Sequence, residues 1–278
     1  MNLSFINSNY LAAFLLKIQT MGYWTNIDGV LSSVSVGNSM NIWGFNPGGT
    51  IYRRSFNTDR AWIPCQALPE EATINSLSVG DDGHILACDS QSYIYRWDPI
   101  NQNWHQFADG RVSKINVGNN YNIWGINDAG TGWIYTMDCV FLNTGNTEPL
   151  IDVSVGSDGS AVVLGNTKTI YRYIPPSRRT STEVYRAIGG ISQVDDIATA
   201  DESFMLALTS APGTARLQRY VGENYWVEFP FKDIHGNDIS ERITKISLGG
   251  DGTIIALTDN MSGTSNIYQY IPYDIPTI

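Results

Sequence analysis

NIWGFN at positions 41–46 returns as NIWGIN at 122–127. A near-identical return inside one chain points to internal repetition, which decides the fold before any local reading does. Extended outward, the first copy reads VSVGNSMNIWGFN from 34 to 46, followed after a short gap by IYRR at 51–54. The pattern recurs as LSVGDDGHILACD with IYRW, INVGNNYNIWGIN with IYTM, VSVGSDGSAVVLG with IYRY, IATADESFMLALT with LQRY and ISLGGDGTIIALT with IYQY. The six marker positions are Gly37, Gly80, Gly118, Gly156, Ala200 and Gly249, spaced 43, 38, 38, 44 and 49 residues apart. The fifth copy has diverged most.

Each copy reads as strands. Short β-branched and aliphatic runs are broken by Asn-rich pairs or by Asp82-Gly83, Asp158-Gly159 and Asp251-Gly252, doublets that supply the positive φ of tight hairpin turns. VxVG is one strand, IWGFN and its equivalents the next, and IYR opens a third. A fourth begins near Trp62, Trp104, Leu142, Tyr185 and Trp226. Four short strands every forty or so residues make the blade of a β-propeller.

The second strand favours stacked blades over a sandwich. Its columns read Ile42, Ile85, Ile123, Ala161, Met205, Ile254, then Trp43, Leu86, Trp124, Val162, Leu206, Ile255, then Gly44, Ala87, Gly125, Val163, Ala207, Ala256. Consecutive strand positions face opposite ways, so apolar residues in adjacent columns mean burial on both faces. The small third column suits a close approach of the next blade's backbone. Copy six ends after IYQY without a Trp-led fourth strand, whereas YWTNIDG at 23–29 resembles NWHQFADG at 103–110. The N-terminal segment is therefore expected to complete blade six, which closes the ring and removes an exposed edge. The expectation is an all-β, six-bladed β-propeller of four-stranded antiparallel blades spanning 21–278, with a different closed all-β ring as the alternative. Residues 1–20 carry no repeat. NYLAAFLLK offers seven apolar-rich positions, too few to span a bilayer, with no preceding Lys or Arg. A short capping helix is the preferred reading; an atypical signal peptide or a start at Met21 are the others.

The chain has 278 residues, 42% hydrophobic, and a net charge of -10, which disfavours nucleic-acid or anionic-membrane partners. Arg178 and Arg179 are the local basic spot, read as a solvated loop. Cys65, Cys88 and Cys139 leave one thiol unpaired in any scheme, and Cys88 falls in an apolar column. This leans towards a reducing compartment: cytoplasmic residence, or secretion by a non-classical route.

No catalytic set emerges. His84, His105 and His235 read as surface residues without metal-ligand spacing. Asp82, Asp158 and Asp251 need only turn chemistry, and no nucleophile elbow or phosphate loop is present. The expectation is a non-enzyme with no metal and no cofactor. What remains is aromatic richness, eight Trp and fifteen Tyr. Tyr52, Tyr95, Tyr135, Tyr171 and Tyr268, with Arg53, Arg96, Arg172 and Arg219, either present a sugar-stacking face with donors or tie blade to blade.

The run from Trp24 to Arg53, W-x-x-I-x-G-x-L-x-x-V-S-V-G-x-x-x-x-I-W-G-F-N then I-Y-R, resembles the tectonin repeat. The resemblance extends over about 23–270, strongest in copies one and three. It implies a six-bladed lectin, of the kind found in fungi, slime moulds and animals, some with roles in defence and some recognising O-methylated glycans in grooves between blades. The Trp-Gly pair survives only as Trp43-Gly44 and Trp124-Gly125. On this reading the ligand-binding residues are Trp43, Asn46, Tyr52 and Arg53 in blade one, and Trp124, Asn127 and Tyr135 in blade three, with blade five silent. The partners are glycans or glycoconjugates, with no nucleic acid and no membrane insertion, and a homo-oligomer is compatible. The alternative is a protein-interaction scaffold without sugar binding.

Overall fold

The computed structural model describes residues 22–55, 60–69, 72–136, 140–211, 214–259 and 265–273. Residues 1–20, and with them the expected capping helix, lie outside the described residues, as does Cys139. Blade one holds β2 (Ser33–Asn38), β3 (Asn41–Phe45), β4 (Ile51–Arg54) and β5 (Trp62–Pro64), paired in that order. Blade two holds β6 (Ile74–Val79), β7 (Ile85–Asp89), β8 (Ile94–Asp98) and β9 (Asn103–Ala108), and blade three β10 (Lys114–Asn119), β11 (Asn122–Ile126), β12 (Gly132–Tyr135) and β13 (Phe141–Asn143). Blade four is β14 (Leu150–Val155), β15 (Ala161–Gly165), β16 (Ile170–Tyr173) and β17 (Tyr185–Ile188). Blade five is β18 (Val194–Thr199), β19 (Met205–Ala211), β20 (Thr214–Gly222) and β21 (Tyr225–Glu228). Blade six, β22 (Arg242–Leu248), β23 (Ile254–Asp259) and β24 (Ser265–Pro272), receives β1 (Gly22–Ile27) as its outer strand. All pairings within the blades are antiparallel, with Trp24 opposite Tyr270.

The innermost strands touch in cyclic order, β2 to β6, β6 to β10, β10 to β14, β14 to β18, β18 to β22 and β22 back to β2. The apolar core is accordingly six clusters, each between two neighbouring blades. β7 and β15 are buried at every position, as burial on both faces requires.

A ring of hydrogen bonds lines the channel. Two residues before each marker, Ser35, Ser78, Asn116, Ser154 and Ser247 accept the backbone N–H of Val79, Val117, Val155, Thr199 and Val36 on the next blade, at 2.8–2.9 Å. Blade five has Ala198 there, and its link to blade six lies two residues earlier, where Asp196 accepts from Ile246 N at 2.7 Å as Ser76 accepts from Ile115 N at 3.3 Å. The marker glycines themselves are where neighbouring backbones meet: a Cβ on Gly37 or Gly118 would collide with the carbonyl of Gly80 or Gly156. The third column does not serve that purpose. Gly44 and Gly125 close instead on Leu31 and Val112 of their own blades.

The Trp that opens a fourth strand is a staple. Indole N–H groups of Trp24, Trp62, Trp104 and Trp226 donate to carbonyls of Pro230, Asp28, Gln66 and Gly189, which lie just beyond the outer strand of the preceding blade, at 2.8–3.0 Å. Tyr185 does the same with its hydroxyl on Thr144.

Candidate functional site: grooves between blades

Strand register decides which of the expected ligand residues can act together. Trp43 pairs with Arg53 and Gly44 with Tyr52, so Trp43 and Arg53 face blade two while Tyr52 faces blade six. Asn46 stays with Tyr52, donating to its hydroxyl at 3.4 Å. The blade-one set is therefore split between two interfaces. Trp43 is 5% exposed and packs edge-on against Trp97 and Trp104, and Trp124 is 3% exposed against Tyr173. Both indoles are core. Asn46 accepts from Thr50 N at 3.0 Å, and Asn127 from Ala129 N and Thr131 N at 3.1 and 2.9 Å. Both side chains shape the hairpin, so truncating them is not the harmless change that strand-end positions suggest.

The register also corrects copy three. Trp124 pairs with Ile134, where Trp43 pairs with Arg53, so Trp133 stands where Tyr52 does and Tyr135 where Arg54 does. Matching IYTM to IYR was two residues out, because NDAGT at 127–131 is the counterpart of NPGGT at 46–50. Tyr135 packs between Phe107 and Phe141.

Two grooves open at equivalent places. Each is built from the third strand of one blade, the first hairpin turn of the next, and that next blade's third strand. Between blades six and one, Gln269, Ser39, Met40, Ile42, Arg54 and Arg60 enclose about 310 Å³. Between blades four and five, Arg172, Glu202, Ser203, Arg219, Tyr220 and Gly222 enclose about 470 Å³. The larger groove thus belongs to the copy most worn in sequence, where silence was expected. In it, Glu202 binds Arg172 Nη1 at 2.9 Å and Arg178 Nη1 at 3.1 Å. The basic loop at Arg178 is solvent-exposed, as read, yet takes part in this groove.

The recurrent aspartates also do more than turn their own hairpins. Asp82, Asp158 and Asp251 each use one carboxylate oxygen within the turn and the other to accept Asn120 N, Glu202 N or Ser39 N from the next blade, at 2.7–3.1 Å. Burial raises the Asp158 and Asp251 carboxyls, but these hydrogen bonds outweigh it and hold both below the usual carboxylate range.

His84 is buried, not a surface residue. Its Nδ1 lies 3.3 Å from Arg96 Nη2, which can only donate, so the ring proton sits on Nε2. Burial, then the Arg96 charge, lowers its pKa and favours that neutral form. His105 and His235 are exposed as expected. Burial pushes the Cys65 thiol up to about 11 and Cys88 to about 12, which keeps both unreactive. No group of three or more metal-ligating side chains occurs among the described residues. The central channel encloses about 110 Å³, and much of its polar lining is already spent on inter-blade hydrogen bonds.

Residues 66–148, which cover blades two and three, match the family model described as Tectonin domain. No curated protein matches the chain. Among solved structures, virginiamycin B lyase from Staphylococcus aureus is similar with a TM-score of 0.57 at 14% identity, over 91% of this chain and 89% of that one. The WD40 repeats of RRP9 give 0.59 at 10% identity over 90% and 98%, and the WD40 propeller domain of Doa1 gives 0.57 at 12% over 89% and 97%. Likenesses to a lyase and two repeat domains at such identities show the fold alone. The chain is a six-bladed β-propeller, and its residues 66–148 match the Tectonin domain model.

Proposed function

We propose that the chain is a carbohydrate-binding protein, a lectin without catalytic activity, that holds glycans in the grooves between its blades. The observation that carries this reading is the pair of equivalent grooves, each lined by guanidinium and hydroxyl donors beside an apolar or aromatic side chain, Met40 in one and Tyr220 in the other. A sugar offers an apolar C–H face and a rim of hydroxyls, and asks for that mixture. An O-methyl group fits against Met40 and Ile42. Trp43 and Trp124 contribute from the core by setting blade spacing. Asn46 and Asn127 hold their hairpins, and Tyr52, Arg53 and Tyr135 belong to the blade interfaces, so these residues support the grooves without lining them. Two grooves on one ring make weak sites useful through avidity when the target is a multivalent glycoconjugate. Self-association would add to it. Among the described residues no helix is long and apolar enough to cross a membrane, and the reading fits a cytoplasmic protein or one exported by a non-classical route.

The test is a glycan array with the full chain, followed by competition with free sugar. Sugar-competable binding supports the lectin. A chain that binds no glycan but captures one defined protein supports the interaction platform instead. That second reading draws on Met40 and Tyr121, 60% and 66% exposed at equivalent turns of blades one and three.

A further inference from the structure

Arg54 is unusual among the arginines of this ring. It is 9% exposed, lines the groove between blades six and one, and its side chain forms no hydrogen bond or ion pair with any described residue. Its guanidinium lies 5.7 Å from the centroid of the Trp62 ring. A second cation, Arg60, lines the same groove, again without an ion pair to a described carboxylate. Burial, and then the Arg60 charge, lowers the Arg54 pKa, in keeping with a cation that has no counter-ion among the described residues. In a chain of net charge -10, two such arginines converge on one cleft.

The equivalent groove shows what belongs between them. There the turn residue two after the marker is Glu202, and its carboxylate bridges Arg172 and Arg178. Two after Gly37 the residue is Ser39, which carries no charge. The acidic side chain tied to that turn, Asp251, is committed to the amides of Ser39 and Thr253. One groove is filled by the protein's own turn carboxylate, held by arginines of the preceding blade; its counterpart has a neutral turn residue beside arginines of its own blade, with no described carboxylate between them.

We infer that the groove between blades six and one is an anion site, in which Arg54 and Arg60 take the carboxylate or sulfate ester of a bound ligand. A guanidinium pairs with either group through parallel, charge-assisted hydrogen bonds, and a half-desolvated cleft strengthens them. Gln269 and Ser39 supply neutral donors beside the charge. A volume of about 310 Å³ suits one sugar ring. That the ligand is an acidic saccharide rests on the proposed function; the anion site does not.

The experiment is calorimetric titration of the full chain with glucuronate, glucose 6-sulfate, glucose and inorganic sulfate at low and raised salt. Glucuronate or the sulfated sugar should bind, glucose should bind far more weakly, and salt should weaken the interaction. Arg54→Gln should lower affinity about tenfold or more with an unchanged melting temperature. Ser39→Glu is the second variant: it places a carboxylate where Glu202 stands and should fill the groove from within, abolishing binding while both arginines remain. Unchanged binding in either folded variant, or glucose bound as well as glucuronate, overturns the anion site while leaving a neutral-glycan lectin standing. Inorganic sulfate binding that Arg54→Gln abolishes, with no saccharide bound, keeps the anion site and removes the saccharide.

Discussion

At the residue scale, the side chains that looked like ligand contacts are mostly committed to the fold. Asn127 gives its oxygen to two amides of its own hairpin, and Asn46 to one. Asn127→Ala is therefore expected to cost about 1–2 kcal/mol of stability by leaving those amides without their acceptor. Asn127→Asp, which keeps the acceptor, should retain most of it. Urea unfolding of the two variants distinguishes the cases, and an alanine variant as stable as the parent would return Asn127 to the list of free ligand groups. The same scale shows why copy three was misaligned. Sequence similarity between IYTM and IYRR outweighed the turn NDAGT, whose length fixes the register. In the sequence Arg54 carries no signal, because one extra Arg after IYR forms no pattern. Only the pairing of blades shows that it has no counter-ion among the described residues.

At the scale of strands, the innermost layer is a belt of inter-blade hydrogen bonds with one irregular link. Asp196 supplies that link in blade five, and burial first, then the neighbouring Asp152, raises its carboxyl well above 3.8, with Lys245 opposing. Lys114 faces the same level and pairs with Asp152 at 3.0 Å. A carboxyl with a raised folded value binds more protons folded than unfolded. Its contribution to stability is present at low pH and is lost as pH rises from about 4 through the folded value. Asp196→Asn keeps an acceptor for Ile246 and removes the titration. Relative to the parent, this variant should gain stability between pH 5 and pH 8 in denaturant titrations. An identical pH dependence in the two proteins would mean Asp196 is ionised in the folded chain. The strand layer was otherwise legible in advance: the hairpins at Asp82-Gly83, Asp158-Gly159 and Asp251-Gly252 lie where the doublets placed them. The second oxygen of each Asp, reaching the next blade, could not be read, since the turns it joins are 38, 44 and 212 residues apart in sequence.

At the scale of the molecule, ring closure was readable because Trp24 matches the other fourth-strand Trp residues, and its indole reaches Pro230 as theirs reach their own preceding blades. What looked like six unevenly worn copies is also an alternation. Blades two, four and six carry the bridging Asp turn, and blades one, three and five receive it. The two described grooves both open at receiving blades, five and one. In the proposed lectin, binding position follows geometry that alternates round the ring, and not how well a copy preserves Trp-Gly. Amide chemical-shift mapping of the full chain, titrated with a saccharide that it binds, tests this most directly. The largest shifts are expected at Ser39, Met40 and Ser55 and at Ser203 and Val221, with the channel residues Asn116 and Ser154 unmoved. Shifts centred on the channel, or on Asn127 and its hairpin with both grooves silent, would contradict it.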